Sequence, residues 1–345
     1  MPVVSIDTFF ACSLMVMVVV AAMAVTAKIF QPYLNGIEDL NQKDYLREIA
    51  NYILLNPGEP QNWGSDKSLL PESFGLAKNG SIIPYELDVD KVCRLNPENT
   101  YHISYISIIE ALKVKKVAVR ISIQQILDIS ITPISTQSNE NLTSYTFQIR
   151  VKRDGLPVSA SLHCYVIAKN FLDDVFAETS PDGEATLIFA IPNSSNGTAI
   201  LVTFARSNLE SRVTGYAVYS FGHLSENPAP KNSFVELSPL NYTLYVNKLF
   251  ENEILLEAYA LTYNYNETIT STSSATYTIP KFLDKSPILI VVTGTNSSTF
   301  FAEWTAYPQI PLEMGANLQN SESTSFKYMV TINKALYSVT IQCGG

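Results

Sequence analysis

Residues 144–166 read SYTFQIRVKRDGLPVSASLHCYV, and they decide the fold class. Tyr145, Phe147, Ile149 and Val151 alternate with Thr146, Gln148, Arg150 and Lys152, the period of two that a half-buried strand requires. Asp154-Gly155 follows as a turn pair, since a tight hairpin turn demands positive φ at its centre. Val158, Ala160, Leu162, Cys164 and Val166 then form the inward face of a returning strand, which leaves His163 on the polar side, exposed.

The same grammar extends outward. Asp182-Gly183 opens a strand with Ala185, Leu187, Phe189 and Ile191 inward, and residues 199–204 and 216–221 supply two more. Short strands separated by turn signals predict an antiparallel Ig-like β-sandwich over residues 129–226. Asn227-Pro228-Ala229-Pro230-Lys231 reads as a linker. Strands resume beyond it, and a closing hairpin pairs Tyr328, Val330 and Ile332 with Tyr337, Val339 and Ile341 across Asn333-Lys334. This predicts a second β-sandwich over residues 232–345.

Toward the N-terminus the period changes. Residues 57–128 read as a small α+β region, with a short helix near 107–112 and a strand over 117–123. Glu86, Asp88 and Asp90 lack the Gly and distal Glu of a calcium loop, so they read as a solvated helix entry. Over residues 31–56, Leu34, Ile37, Leu40, Leu46, Ile49, Ile53 and Leu54 recur at helical spacing. They predict an amphipathic helix after a kink at Pro32, stopped by Asn56-Pro57-Gly58. Its stripe packs on the chain's own body or on the same helix of neighbouring subunits.

Residues 9–27, FFACSLMVMVVVAAMAVTA, carry no charge over 19 residues, nearly the span of a bilayer core. Residues 1–30 are therefore read as a transmembrane anchor. A cleaved secretory signal is the rival, with small-x-small triplets at 22–24 and 25–27, but no Lys or Arg stands in residues 1–8. Lys28 follows the span, so positive charge does not set its orientation. Sequons at Asn79, Asn141, Asn193, Asn196, Asn241, Asn266 and Asn296 place the body outside the cell, as candidate glycosylation sites. Asp7 is the candidate assembly residue, an anion beside the apolar run placed to pair with a neighbouring α-amine.

Composition excludes several functions. A net charge of -9 opposes nucleic-acid binding, which needs cations to neutralise phosphate. Cys12 lies in the apolar run, leaving Cys93, Cys164 and Cys343, widely spaced and without a metal pattern. They read as buried apolar residues. His102, His163 and His223 lack second ligands at metal spacing, and no phosphate loop, nucleophile elbow or zinc helix motif occurs. Asp173-Asp174 reads as a turn. Tyr245, Tyr259, Tyr263, Tyr265, Trp304 and Tyr307 crowd the last domain, as cross-strand pairs or as faces for sugars and protein partners. No cofactor and no catalysis are expected.

Two resemblances add to this. Pro2-Val3-Val4-Ser5, the apolar run from Phe9, Asn56-Pro57-Gly58 with Pro60, Asn62 and Trp63, Phe74-Gly75-Leu76-Ala77, and Tyr85-Glu86-Leu87-Asp88 with Lys91 resemble archaeal pilin-like membrane proteins over the first third. Residues 153–160 and 182–187 resemble the Ig-like modules related to carboxypeptidase regulatory domains, which serve as spacers or adhesion domains. The expectation is a mainly β protein with an N-terminal helix: a single-pass, pilin-like cell-surface protein with a structural or adhesive role. Its partners would be the membrane and other pilin-like subunits. A tethered glycan or solute receptor is the alternative, and an extracellular hydrolase a more remote one.

Overall fold

A computed structural model describes residues 6–114, 116–273, 275–297, 299–318 and 323–344, apart from the side chains of residues 6–8, 27, 29–41 and 273. The chain divides into Met1–Asn51 and Tyr52–Gly345. One α-helix runs from Ile6 to Leu55, so the two helices expected on either side of Pro32 are a single element. Leu46, Ile49, Ile53 and Leu54 are buried while Arg47 and Glu48 are exposed, as the apolar spacing requires. Gly58, at φ 74°, takes the left-handed backbone just past the helix end.

The closing hairpin forms as predicted, with Asn333 and Lys334 at φ 47° and 71° and Val330 opposite Tyr337. Its sheet is not the predicted one. The strands Ser323–Ile332 and Ala335–Gly344 lie between Glu86–Leu87 and Ala118–Gln125, with Leu312–Gly315 at the far edge, in one five-stranded sheet. Ile121 stands opposite Ile341 and Ile123 opposite Val339. The expected domain 232–345 is thereby corrected: its last strands complete the sheet of the small α+β region. Residues 127–307 are an insertion between two strands of that sheet. A period-two hairpin satisfies any sheet with an apolar face, so alternation alone does not name its neighbour.

The first inserted sandwich pairs Leu142–Arg153 with Leu127–Ser138 on one side and Glu184–Pro192 on the other. Asp154-Gly155 turns the chain, yet only Leu156 and Pro157 pair back, opposite Arg153 and Lys152. The strand Ala160–Ala168 then crosses to the facing sheet, beside Gly197–Ser207 and Phe171–Glu178, with Thr214–His223 at the edge. Phe147, Ile149 and Val151 of one sheet meet Leu162, Cys164 and Val166 of the other in the core. The inward face is the expected one, but the strand pairs with Gly197–Ser207 and Phe171–Glu178 instead of returning along Leu142–Arg153.

The second sandwich faces the sheet of Val235–Leu240, Thr243–Lys248, Thr276–Thr278 and Ser271–Ser273 with that of Asn266–Ile269, Glu253–Leu261, Ile288–Asn296 and Thr299–Tyr307. Leu237, Leu244, Ala260, Ile290 and Val292 lie in its core. A third core then joins the sandwiches. Tyr165, Ile167, Val202 and Phe204 on the outer face of the first pack with Leu261, Leu289, Val291 and Phe300 of the second. Four sheets are stacked in consequence, and the central strands of the two middle ones, Ala160–Ala168, Gly197–Ser207 and Ile288–Asn296, are buried on both faces over most of their length.

That stacking overturns the expectation of an exposed His163. Its strand has no solvent face, and the ring is 3% exposed, stacked on Phe176 at 3.7 Å between centroids. Its Nδ1 is 2.7 Å from the Tyr263 carbonyl oxygen and its Nε2 2.8 Å from Asp174 Oδ2. Asp173 and Asp174 lie in the edge strand Phe171–Glu178 rather than a turn. Cys93, Cys164 and Cys343 are buried and free, and burial pushes the Cys164 thiol up to about 12.

The small region is built around two buried cations. Lys91 Nζ donates to the carbonyls of Pro57 at 2.8 Å and Ala77 at 2.9 Å. Arg94 donates to the carbonyls of Trp63, of Tyr101 at 2.9 Å, of Asp66 at 3.0 Å and of Leu69 at 2.8 Å. Asp88 caps the short helix Val89–Cys93, accepting from the amides of Asp90 and Lys91. The expectation of a solvated helix entry is corrected: Asp90 is buried against Asn241 and Tyr307, and Glu86 lies in a strand. The residues quoted for the first resemblance, from Asn56 to Lys91, thus meet in one place.

Candidate functional site

Residues from each part of the body converge on one cleft of about 400 Å³, within the usual range for ligand pockets. Pro97 and Glu98 come from the small region, Tyr216 from the first sandwich, Lys231 from the linker, Trp304 from the second sandwich, and Leu312 and Glu313 from the five-stranded sheet.

Its floor is aromatic. The Tyr216 and Trp304 rings meet edge to face at 6.2 Å and 80°, and the Tyr216 hydroxyl donates to the Ile310 carbonyl. Burial pushes the Tyr216 phenol up, so it acts as a neutral donor. Lys231 Nζ lies 4.3 Å from the Trp304 ring centroid and 2.6 Å from Glu98 Oε2. At the far rim Arg120 pairs with Glu313.

Buried polar groups fix the walls. The Glu303 carboxylate accepts from the amides of Asn232 at 2.8 Å, Ser233 at 3.0 Å and Phe234 at 3.4 Å, which pins the linker's end. Burial raises the Glu303 carboxyl above its ordinary value despite those donors. Gln309 Oε1 accepts from Asn99 Nδ2 at 2.7 Å, and Asn96 Nδ2 donates to the Gln309 carbonyl at 3.0 Å. An aromatic platform flanked by the Glu98 carboxylate and the Lys231 ammonium, with Glu313 engaged by Arg120 at the rim, is suited to binding; no His or Cys is among its lining residues.

The predicted site residues are scattered. Asn79, Asn141, Asn196, Asn241 and Asn266 are exposed, whereas Asn193 and Asn296 are half-buried. Asp7 falls in the long helix, and its side chain lies outside the described residues. Of the six aromatics, Tyr307, Tyr259 and Tyr263 are buried, Tyr245 and Trp304 are half-buried and Tyr265 is exposed. Tyr259 and Tyr263 belong to the inter-sandwich core, so they offer no face to a ligand. Trp304 alone of the six lines the cleft. Lys231 and Glu98 carried no local signal, because each reads as an ordinary turn residue until the fold brings them together. Among the described residues, no group of three or more His, Cys, Asp or Glu side chains is placed to hold a metal.

No protein-family model matches the chain, and no curated protein sequence matches it. Among solved structures, HBP35 of Porphyromonas gingivalis aligns at 12% identity and TM-score 0.20, over 52% of this chain and 63% of that one. Human GIVD cytosolic phospholipase A2 aligns at 6% identity and TM-score 0.15, over 66% of this chain and 33% of that one. The chain spans less than two thirds of either structure, and at these TM-scores neither likeness carries an argument.

Proposed function

We propose that this chain is a membrane-anchored cell-surface protein, pilin-like in its N-terminal third, with its β body outside the cell in a structural or adhesive role. The observation that carries the reading is Phe9–Thr26, an 18-residue helical stretch with no charged residue and no buried side chain. So much exposed apolar surface calls for lipid or a protein partner. Five exposed sequon asparagines on the body suit an external, glycosylated surface. The reading assigns the chain no catalysis and no cofactor.

Alkaline extraction of membranes tests it, with N-terminal sequencing of the mature chain and protease treatment of intact cells. The full chain should stay in the pellet with residues 9–26 present, and an epitope in the body should be cleaved on intact cells. Release by alkali, loss of the first residues as a cleaved signal, or protection until lysis would each overturn it. A second reading, a tethered receptor, draws on the cleft between the parts of the body.

A further inference from the structure

We infer that the cleft is a binding site for the cationic side chains of basic peptides, with Lys231 as the internal occupant that an incoming lysine replaces. The inference rests on the receptor reading of the cleft and not on the anchor.

Two groups there recognise an ammonium. The Trp304 face holds one at 4.3 Å, and the Glu98 carboxylate holds the same one at 2.6 Å. The ion pair is partly open to water, with Lys231 28% and Glu98 46% exposed, so its exchange for an equivalent pair is cheap. The linker does not depend on the Lys231 side chain for its position. Glu303 binds the next three backbone amides, and Ser233 Oγ donates to the Pro230 carbonyl at 2.6 Å. Lys231 can therefore swing away while the wall it leaves stays in place. The chain's net charge of -9 also draws basic partners and repels acidic ones.

The test uses the full chain in detergent, titrated with acetyl-Gly-Lys-Gly-amide and with its norleucine analogue, which has no charge. Trp304 and Trp63 are the two tryptophans, so indole fluorescence reports the site, and a Trp304→Phe variant identifies its share. If the internal lysine leaves the site open about a tenth of the time, Lys231→Ala should bind the lysine peptide roughly tenfold more tightly than wild type. Glu98→Gln should weaken binding in both backgrounds, and it leaves no cavity, so it remains informative if Lys231→Ala folds poorly. Equal affinity for the norleucine peptide, no gain in Lys231→Ala, or binding of a neutral oligosaccharide in place of the peptide would overturn the inference. None of these results bears on membrane anchoring, which the extraction test reads separately.

Discussion

Asp90 joins the small region to the second sandwich, its Oδ1 accepting from the Tyr307 hydroxyl and the Asn241 amide, each at 2.7 Å. Burial raises its carboxyl above the ordinary 3.8, and the two hydrogen bonds offset this only in part. The folded state thus keeps this proton to a higher pH than the unfolded state does. In the window above 3.8 stability falls as pH rises, and beyond the raised value the cost is fully present. Asp90→Asn keeps an acceptor for both donors and removes the charge. In urea denaturation from about pH 4 to about pH 7, the variant should gain on wild type as pH rises, and a constant gap would refute this. Asp90→Ala, which strands both donors, should cost about 1–3 kcal/mol for each. Asn193 makes a second case. Its Nδ2 donates to the carbonyls of Asn139 at 2.8 Å and Glu140 at 3.1 Å, so a glycan, which replaces one of those two protons, would have to break one of the bonds. Glycopeptide mapping should find Asn193 bare and exposed Asn141 modified; a glycan on Asn193 would show the pairing to be dispensable.

At the scale of elements, the short helix Val89–Cys93 shows how little of the packing its own sequence contains. A helix entry near Asp88 was legible because helix-start signals are local, and Asp88 is its cap. That Lys91 would be fully buried was not legible, since its acceptors are the carbonyls of Pro57 and Ala77, distant in sequence. Gly64 is the price of that arrangement: a Cβ there would lie 2.5 Å from Lys91 Cγ and 2.7 Å from its amide nitrogen. Gly64→Ala should therefore destabilise the body by about 1–3 kcal/mol, as overpacking does. Chemical denaturation followed by far-UV circular dichroism checks it, and a wild-type midpoint would mean that the helix simply shifts. The strand Ala160–Ala168 teaches the same lesson in the sheets. Its alternation named the core face correctly, while the burial of His163 depended on a second sandwich lying against the other face.

For the body as a whole, the third core decides how it behaves under stress. Two domains on a flexible linker would unfold independently, whereas Tyr165, Val202 and Phe204 are fully buried only while the second sandwich is in place. Phe204→Ala should cost about 3–5 kcal/mol. It should lower the stability of both sandwiches together, seen as one transition by circular dichroism and by Trp304 fluorescence. A shift confined to one of two separate transitions would show the sandwiches to be independent. Because residues 127–307 leave and rejoin the five-stranded sheet through the paired strands Ala118–Gln125 and Leu312–Gly315, force on the insertion is borne by two adjacent attachments rather than one tether.

What the sequence determined by itself was local and periodic: the apolar run of residues 9–27, the alternation at 145–151, the turns at Asp154-Gly155 and Asn333-Lys334, and the inward Cys164. Each follows from backbone geometry and solvent partition acting over a few residues. Only the tertiary structure decided which strands pair beyond the closing hairpin, that this hairpin returns to the sheet of residues 118–125, and that the central strands of two sheets have no wet face. It alone brought Glu98, Lys231 and Trp304 together. The physical reason is that alternation specifies a buried face without specifying the partner that buries it. A cleft made by several parts of the body has no signature in any one of them.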